Sequence, residues 1–246
     1  MPGSRLLPNF QWVRTVEFRT IKTDRLYIKV AEQLSGLVKD GTLKPGDKFP
    51  PERDLAEKLG VSRPTIREAM IAMELSGIIE IRTGSGIYVS NKKPKLDTGD
   101  KGVGPFEILE IRYILEAEAC ALAAARITDE QIAQLKTAVR DMAEEEKHED
   151  ASEKADWTFH KIIADASQNS AISAVVDWLW ELRNESELST AFLERLRQEG
   201  VHPSIEDHKR IVEALEQRNP EKARNAMRVH IDNASEAAST YFDRPN

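Results

Sequence analysis

Cysteine occurs once in the 246 residues, at position 120, so no disulfide closes within the chain and stability has to come from burial. No apolar run approaches the roughly 18 residues that a membrane-spanning helix needs. Near the start, Pro8, Gln11, Arg14 and Glu17 interrupt the stretch where a secretory leader would be continuously apolar. These absences point to a soluble protein of a reducing compartment, the cytoplasm, with no membrane partner. Histidine is also scarce, with five in the chain, so the position of each is informative. Hydrophobic residues make up 40%, enough for the cores of one large domain or two ordinary ones.

Charge is unevenly divided. Residues 1 to 95 carry 17 Lys and Arg against 11 Asp and Glu, a balance of +6, whereas the remainder carries 18 against 31, a balance of −13. A basic N-terminal part suits a polyanion, and an acidic C-terminal part would be repelled by one.

Within the basic part, Leu26, Val30, Leu34, Leu37 and Val38 recur at helical spacing before Gly41. A second short helix follows the double proline at 50 and 51, with Leu55 and Leu59 facing inward and Gly60 as its stop. The third, "VSRPTIREAMIAMELSG", opens with Ser62 as N-cap and Pro64 in the first turn, where a missing N–H costs nothing. Its inward face is Ile66, Ala69, Met70 and Met73, which leaves Arg63, Thr65 and Arg67 for the exposed N-terminal end. "GIIEIRTGSGIYVS" reads as a hairpin whose glycines permit positive φ. Helix, helix-turn-helix and wing in that order form a far more specific signal than any one of them.

"FPPERDLAEKLGVSRPTIREAMIAMELSGIIEIRTGSGIYV" closely resembles the winged-helix DNA-binding domain of the GntR family of bacterial transcription regulators. The resemblance implies operator contacts by Arg53, Arg63 and Arg67, with Thr65 and the wing glycines Gly84 and Gly86 at further contact positions. Recognition-helix arginines suit guanine edges, and Arg53 and the wing backbone suit phosphates. Pro64 stands where many relatives carry a hydroxyl residue, so that contact is lost.

Residues 91 to 104 are polar and aperiodic and read as a linker. Everything beyond it reads as six or seven antiparallel helices, with Pro105 opening the first, "TDEQ" at 128 to 131 as a capping box and Asn219-Pro220 opening the last. The expected fold is therefore mainly α: a winged helix-turn-helix over 24 to 90 and an all-helical bundle over 105 to 242. Residues 1 to 23 form an N-terminal extension without a clean period.

Asp156 and His160 lie four apart in "ADWTFH", on one face of a helix, and His208 and His230 fall on two later helices. Three imidazoles and a carboxylate suit a divalent cation, Zn, Ni, Mn or Fe. On spacing alone, capped or core histidines are the better explanation of the pattern. His148, in a charged helix end, and His202, before Pro203, are not candidate ligands. A metal-dependent hydrolase would use the same ligands, but no further acid, base or nucleophile stands beside them.

The helical part resembles the FCD effector domain of the FadR subfamily, and its "GPFEILEIRYILE" and "VVDWLWELRNESEL" segments are similar to uronate-responsive, UxuR-like members. In the metal-binding branch the ligand order matches Asp156, His160, His208 and His230, which implies a bound cation, zinc first. Arg112 matches the arginine that grips the effector's carboxylate; read without the resemblance, it forms a surface ion pair with Glu116. The family implies a homodimeric repressor on a palindromic operator, controlled by a small organic acid such as a hexuronate. A direct metal sensor is the alternative within this class.

Overall fold

The computed structural model describes residues 25–92, 100–147 and 153–242. The N-terminal extension and much of the expected linker lie outside them. The winged part comprises α1 (Leu26–Lys39), α2 (Glu52–Leu59), α3 (Arg63–Leu75), β1 (Ile79–Arg82) and β2 (Gly86–Val89). Its two strands pair antiparallel, Ile79 opposite Val89 and Ile81 opposite Ile87. The helical part is α4 (Pro105–Ala124), α5 (Asp129–Glu145), α6 (Lys154–Ala166), α7 (Ser170–Glu185), α8 (Glu187–Gln198), α9 (Ile205–Glu216) and α10 (Pro220–Ser239).

The local signals act where the sequence places them. Ser62 Oγ accepts the Thr65 N–H at 3.2 Å, and Pro64 sits in the first turn of α3. Gly60 closes α2 in the left-handed region at φ 66°, where a side chain would be strained. Thr128 and Gln131 complete a reciprocal capping box on α5, and Asn219 Oδ1 caps α10 by accepting the Lys222 N–H at 3.0 Å.

One expected helix divides in two. The apolar period runs unbroken through "WLWELRNESEL", but Ser186 turns to ψ 116° and becomes the N-cap of α8. Its hydroxyl donates to Val103 O at 2.7 Å, and Ser189 Oγ donates to the same carbonyl at 2.8 Å. The break is thus fixed by the segment preceding α4. That segment is not a free linker over residues 100 to 104: Lys101 N–H also donates to Tyr27 Oη at 3.0 Å.

Two large cores result. One lies among α4, α5, α6, α9 and α10 and contains Leu135, Phe159, Ile211 and Leu215, all without solvent exposure. Cutting one of these leucines to alanine would cost about 2–5 kcal/mol. The other joins the two parts of the chain: Ile66, Met70 and Met73 of α3 share it with Phe106, Leu188, Phe192, Tyr241 and Phe242.

Candidate metal centre and DNA-facing residues

The regular period of α6 places Asp156 and His160 one turn apart on its inward face, and α9 and α10 bring His208 and His230 against them. All four side chains are buried, and one ligand atom from each lies within 4.8 Å of the others. Two ligands of one cation at ~2.1 Å lie ~3.4 Å apart at the tetrahedral angle and ~4.2 Å apart when opposed, so the outermost pair would close by roughly 0.6 to 1.4 Å on binding.

Hydrogen bonding within the cluster fits a cation. His208 Nδ1 lies 2.8 Å from Ser204 O, and because a carbonyl only accepts, the proton belongs on Nδ1. With that proton placed, Nε2 of the same ring faces Asp156 Oδ1 at 2.9 Å, the two atoms that a cation would draw together. His230 Nδ1 is buried with no hydrogen-bond partner among the described residues. Burial, then the neighbouring His208 and His160, hold the His230 imidazole well below its ordinary range, leaving it neutral and able to donate a lone pair. Burial would raise the Asp156 carboxyl, but bonds and charge from His160 and His208 outweigh it and keep the group ionised.

Behind His160 stands a residue that the sequence reading left at the surface. Glu116 is 2% exposed; its Oε2 lies 2.5 Å from His160 Nδ1, and its Oε1 accepts from Arg112 Nε at 2.7 Å. The contact to His160 is close but poorly aligned for a hydrogen bond, since both ring nitrogens lack a well-formed partner. Burial pushes the Glu116 carboxyl up, but Arg112 and then His160 overcome it and hold it at about 2. The Arg112–Glu116 pair is therefore a buried pair, not the surface pair expected from i, i+4 spacing. Its only sequence signal was the final glutamate of "EIRYILE". Were a cation to take the place of the proton, the carboxylate would brace the ring and strengthen it as a donor.

Arg112, Asp156 and His230 line a cavity of about 440 Å³, closed on its other sides by α8, α9 and the segment Val201 to Ser204. Arg183 and Arg210 also reach it, but each arginine already has a carboxylate: Glu116 for Arg112, Glu153 for Arg183 and Asp207 for Arg210. Arg112 spends Nε and one Nη on Glu116, which leaves the other Nη for a ligand. Trp180 stacks on it, its ring centre 4.7 Å from the guanidinium carbon. With Glu153, Asp156, Glu206 and Asp207 lining the cavity as well, the side chains alone do not make it positive. A divalent cation would reverse that balance.

At the other end of the molecule, Arg53 and Arg63 are exposed, and Arg63 is paired with Glu52. Gly84 and Gly86 stand at the wing turn with φ 72° and 123°. Two residues depart from expectation. Thr65 is buried, its Oγ1 2.9 Å from Ser62 Oγ in the cap of α3. Arg67 is 8% exposed, donates to both Glu52 oxygens at 2.8 and 2.9 Å and to Ser239 Oγ at 2.5 Å, and does not project from the surface. The helical period puts positions 65 and 67 on either side of the inward face, and Ser239, Phe106 and Phe242 of the second part of the chain lie against Arg67.

A winged helix followed by an all-helical module is the build of a DNA-binding transcription regulator. Residues 26–89 match the family described as bacterial regulatory proteins, gntR family, and residues 107–233 match the FCD domain; the chain belongs to the FCD-containing GntR regulators. The Uxu operon regulator of Haemophilus influenzae is 33% identical over 216 residues, spanning 85% of this chain and 80% of that protein. The Exu regulon transcriptional regulator of Escherichia coli K12 is 33% identical over 217 residues, spanning 85% and 83%. Among solved structures, Streptococcus agalactiae GntR is 30% identical, covers 85% of this chain and 99% of that one, and has a TM-score of 0.43. The relatives are transcriptional regulators, which sets the hydrolase alternative aside.

Proposed function

We propose that this regulator senses a small carboxylate, a hexuronate or related sugar acid, through a divalent cation held by Asp156, His160, His208 and His230. The observation that carries the reading is the buried ligand cluster opening on a cavity beside Arg112. When bound, the cation would supply the positive charge and open coordination position that the paired arginines do not. Arg112 would grip the carboxylate, and Ser204 and Asn233 of the lining would meet hydroxyl groups. The names of the Uxu and Exu relatives support a uronate over other acids. Imidazole nitrogens with one carboxylate oxygen suit zinc first, with nickel, manganese and iron as alternatives, and the acid would take a coordination position beyond these four.

Operator recognition falls to Arg53, Arg63 and the wing backbone at Gly84 and Gly86, with Arg67 joining only after it leaves its present partners. The 24 to 90 segment is then the DNA-binding domain and 105 to 242 the effector and dimerisation domain. Ile111 and Ile114 of α4 and Val175 and Trp178 of α7, all exposed on two helices that pack together, offer an apolar face for a second copy. A two-fold dimer would read a palindromic operator as a cytoplasmic repressor.

The test combines elemental analysis of native protein with operator binding titrated by galacturonate and glucuronate, in metal and in chelator. Loss of metal in His208→Ala and release of DNA by a uronate only with metal present support the reading. Normal metal content in that variant would overturn the site. Release by metal alone would replace it with a direct metal sensor.

A further inference from the structure

Four contacts tie the winged helix to the helical part, and they fall on the elements that ought to meet DNA. Arg67 donates to Ser239 Oγ at the end of α10, and its guanidinium carbon lies 5.1 Å from the Phe106 ring centre and 5.8 Å from that of Phe242. One residue on, Glu68 is fully buried, and its Oε1 accepts the Glu107 N–H at 3.1 Å inside the first turn of α4. The N-cap of α4 is Gly104, which has no side chain to satisfy that turn, so a carboxylate from α3 does it instead. Glu74 accepts from Tyr241 Oη at 2.8 Å. At the wing tip, Thr83 Oγ1 donates to Glu199 at 2.9 Å.

We propose that these contacts form an intramolecular dock in which α4 and α10 withhold Arg67 from operator DNA, and that opening the dock raises operator affinity. The proposal rests on the reading of α3 as the DNA-facing helix. A guanidinium held by Glu52, by Ser239 and against two rings cannot reach a base edge or phosphate until those partners are given up. The helices that hold it are also those of the cation cavity: α4 carries Phe106 and Arg112, and α10 carries His230 and Ser239. These two helices pack against each other extensively. A ligand that shifts one against the other acts on the recognition helix without crossing any other element.

Gly104 provides the test. Its backbone, at φ −71° and ψ 148°, suits any residue. A Cβ there would lie 2.0 Å from Glu68 Cδ and Oε1 and 2.5 Å from Cγ, so Gly104→Ala evicts the Glu68 side chain and leaves every proposed DNA contact intact. Operator affinity is measured by fluorescence anisotropy on the full chain with a labelled fragment of its own upstream DNA, without added acid, and folding is checked by circular dichroism. Apparent affinity scales with the undocked fraction, so opening raises it about twofold from a half-docked protein and about tenfold from one about 90% docked. Glu68→Ala should raise it too, and adding Gly104→Ala to that variant should bring no further gain. Should Gly104→Ala fail to fold, Ser239→Ala removes an Arg67 acceptor without adding bulk and should move affinity in the same direction. Unchanged or lower affinity of a folded Gly104→Ala, on DNA that the wild type binds, overturns the dock alone. Absence of sequence-specific binding by the wild type overturns the dock together with the DNA-facing reading.

Discussion

Glu116→Gln perturbs the buried support behind Arg112 and His160. The substitution keeps shape and removes one charge from a pair whose side chains are 7% and 3% exposed, with Arg112 Nε 2.7 Å from Glu116 Oε1. Breaking a buried pair costs about 3–5 kcal/mol, because the remaining charge is left uncompensated. At roughly 2–4 °C per kcal/mol for a chain of this size, melting should fall by about 6–20 °C. The amide oxygen can still accept from Arg112, so the lower half of that range is expected. His160 loses its carboxylate at the same time, and removing such a partner lowers metal affinity about 10- to 100-fold, or ~1.4–2.7 kcal/mol. Scanning calorimetry in chelator reads the first loss, and a zinc titration of the same sample reads the second. Wild-type melting in chelator together with an unchanged metal-induced rise would refute both anchoring roles of Glu116.

Two more outcomes follow from buried groups. Cys120 has no solvent exposure, and burial, aided by the Glu116 charge, pushes its thiol up, so a thiol reagent at pH 8 should label it only as fast as the protein unfolds; labelling within the mixing time of native protein would contradict this placement. Glu68 is raised from the ordinary 4.5 to about 8 by burial and then by Glu107 and Glu110 on α4, against the pull of the Glu107 N–H and of Arg25. The docked form therefore binds more protons. Its advantage is complete below pH 4.5, shrinks as pH rises, and is gone once pH passes about 8. Operator affinity of the wild type relative to Glu68→Gln should rise between pH 6 and 8.5, and parallel pH profiles would exclude a titrating dock.

Much of this architecture was legible in local chemistry. Ser62, Thr128 and Asn219 each cap the helix they precede, and Gly60 stops α2, because these signals act over three or four residues and need no tertiary partner. The four metal candidates lay on three helices, and the family resemblance selected them from among ordinary core histidines; spacing alone did not. Glu116 escaped because i, i+4 geometry says that it meets Arg112 but not whether water surrounds the pair. Arg67 escaped for the complementary reason: helical period separates faces of one helix, while its burial comes from Phe106, Ser239 and Phe242, between about 40 and 175 residues further along the chain. The break at Ser186 is of the same kind, since an acceptor at Val103 decides it.

Helix α4 meets the winged helix through Phe106 and the cation cavity through Arg112, six residues or ~9 Å apart along its axis. So short a lever leaves little freedom for change: on the proposed reading of the cavity, a substitution on that face altering which acid is recognised would also disturb how the DNA-binding half is held. His202, Pro203, Ser204 and Arg210 line the same cavity from elements without that second duty. A lineage acquiring a new effector would find its tolerated mutations there, and the α4 face would stay nearly fixed while the opposite wall was rewritten.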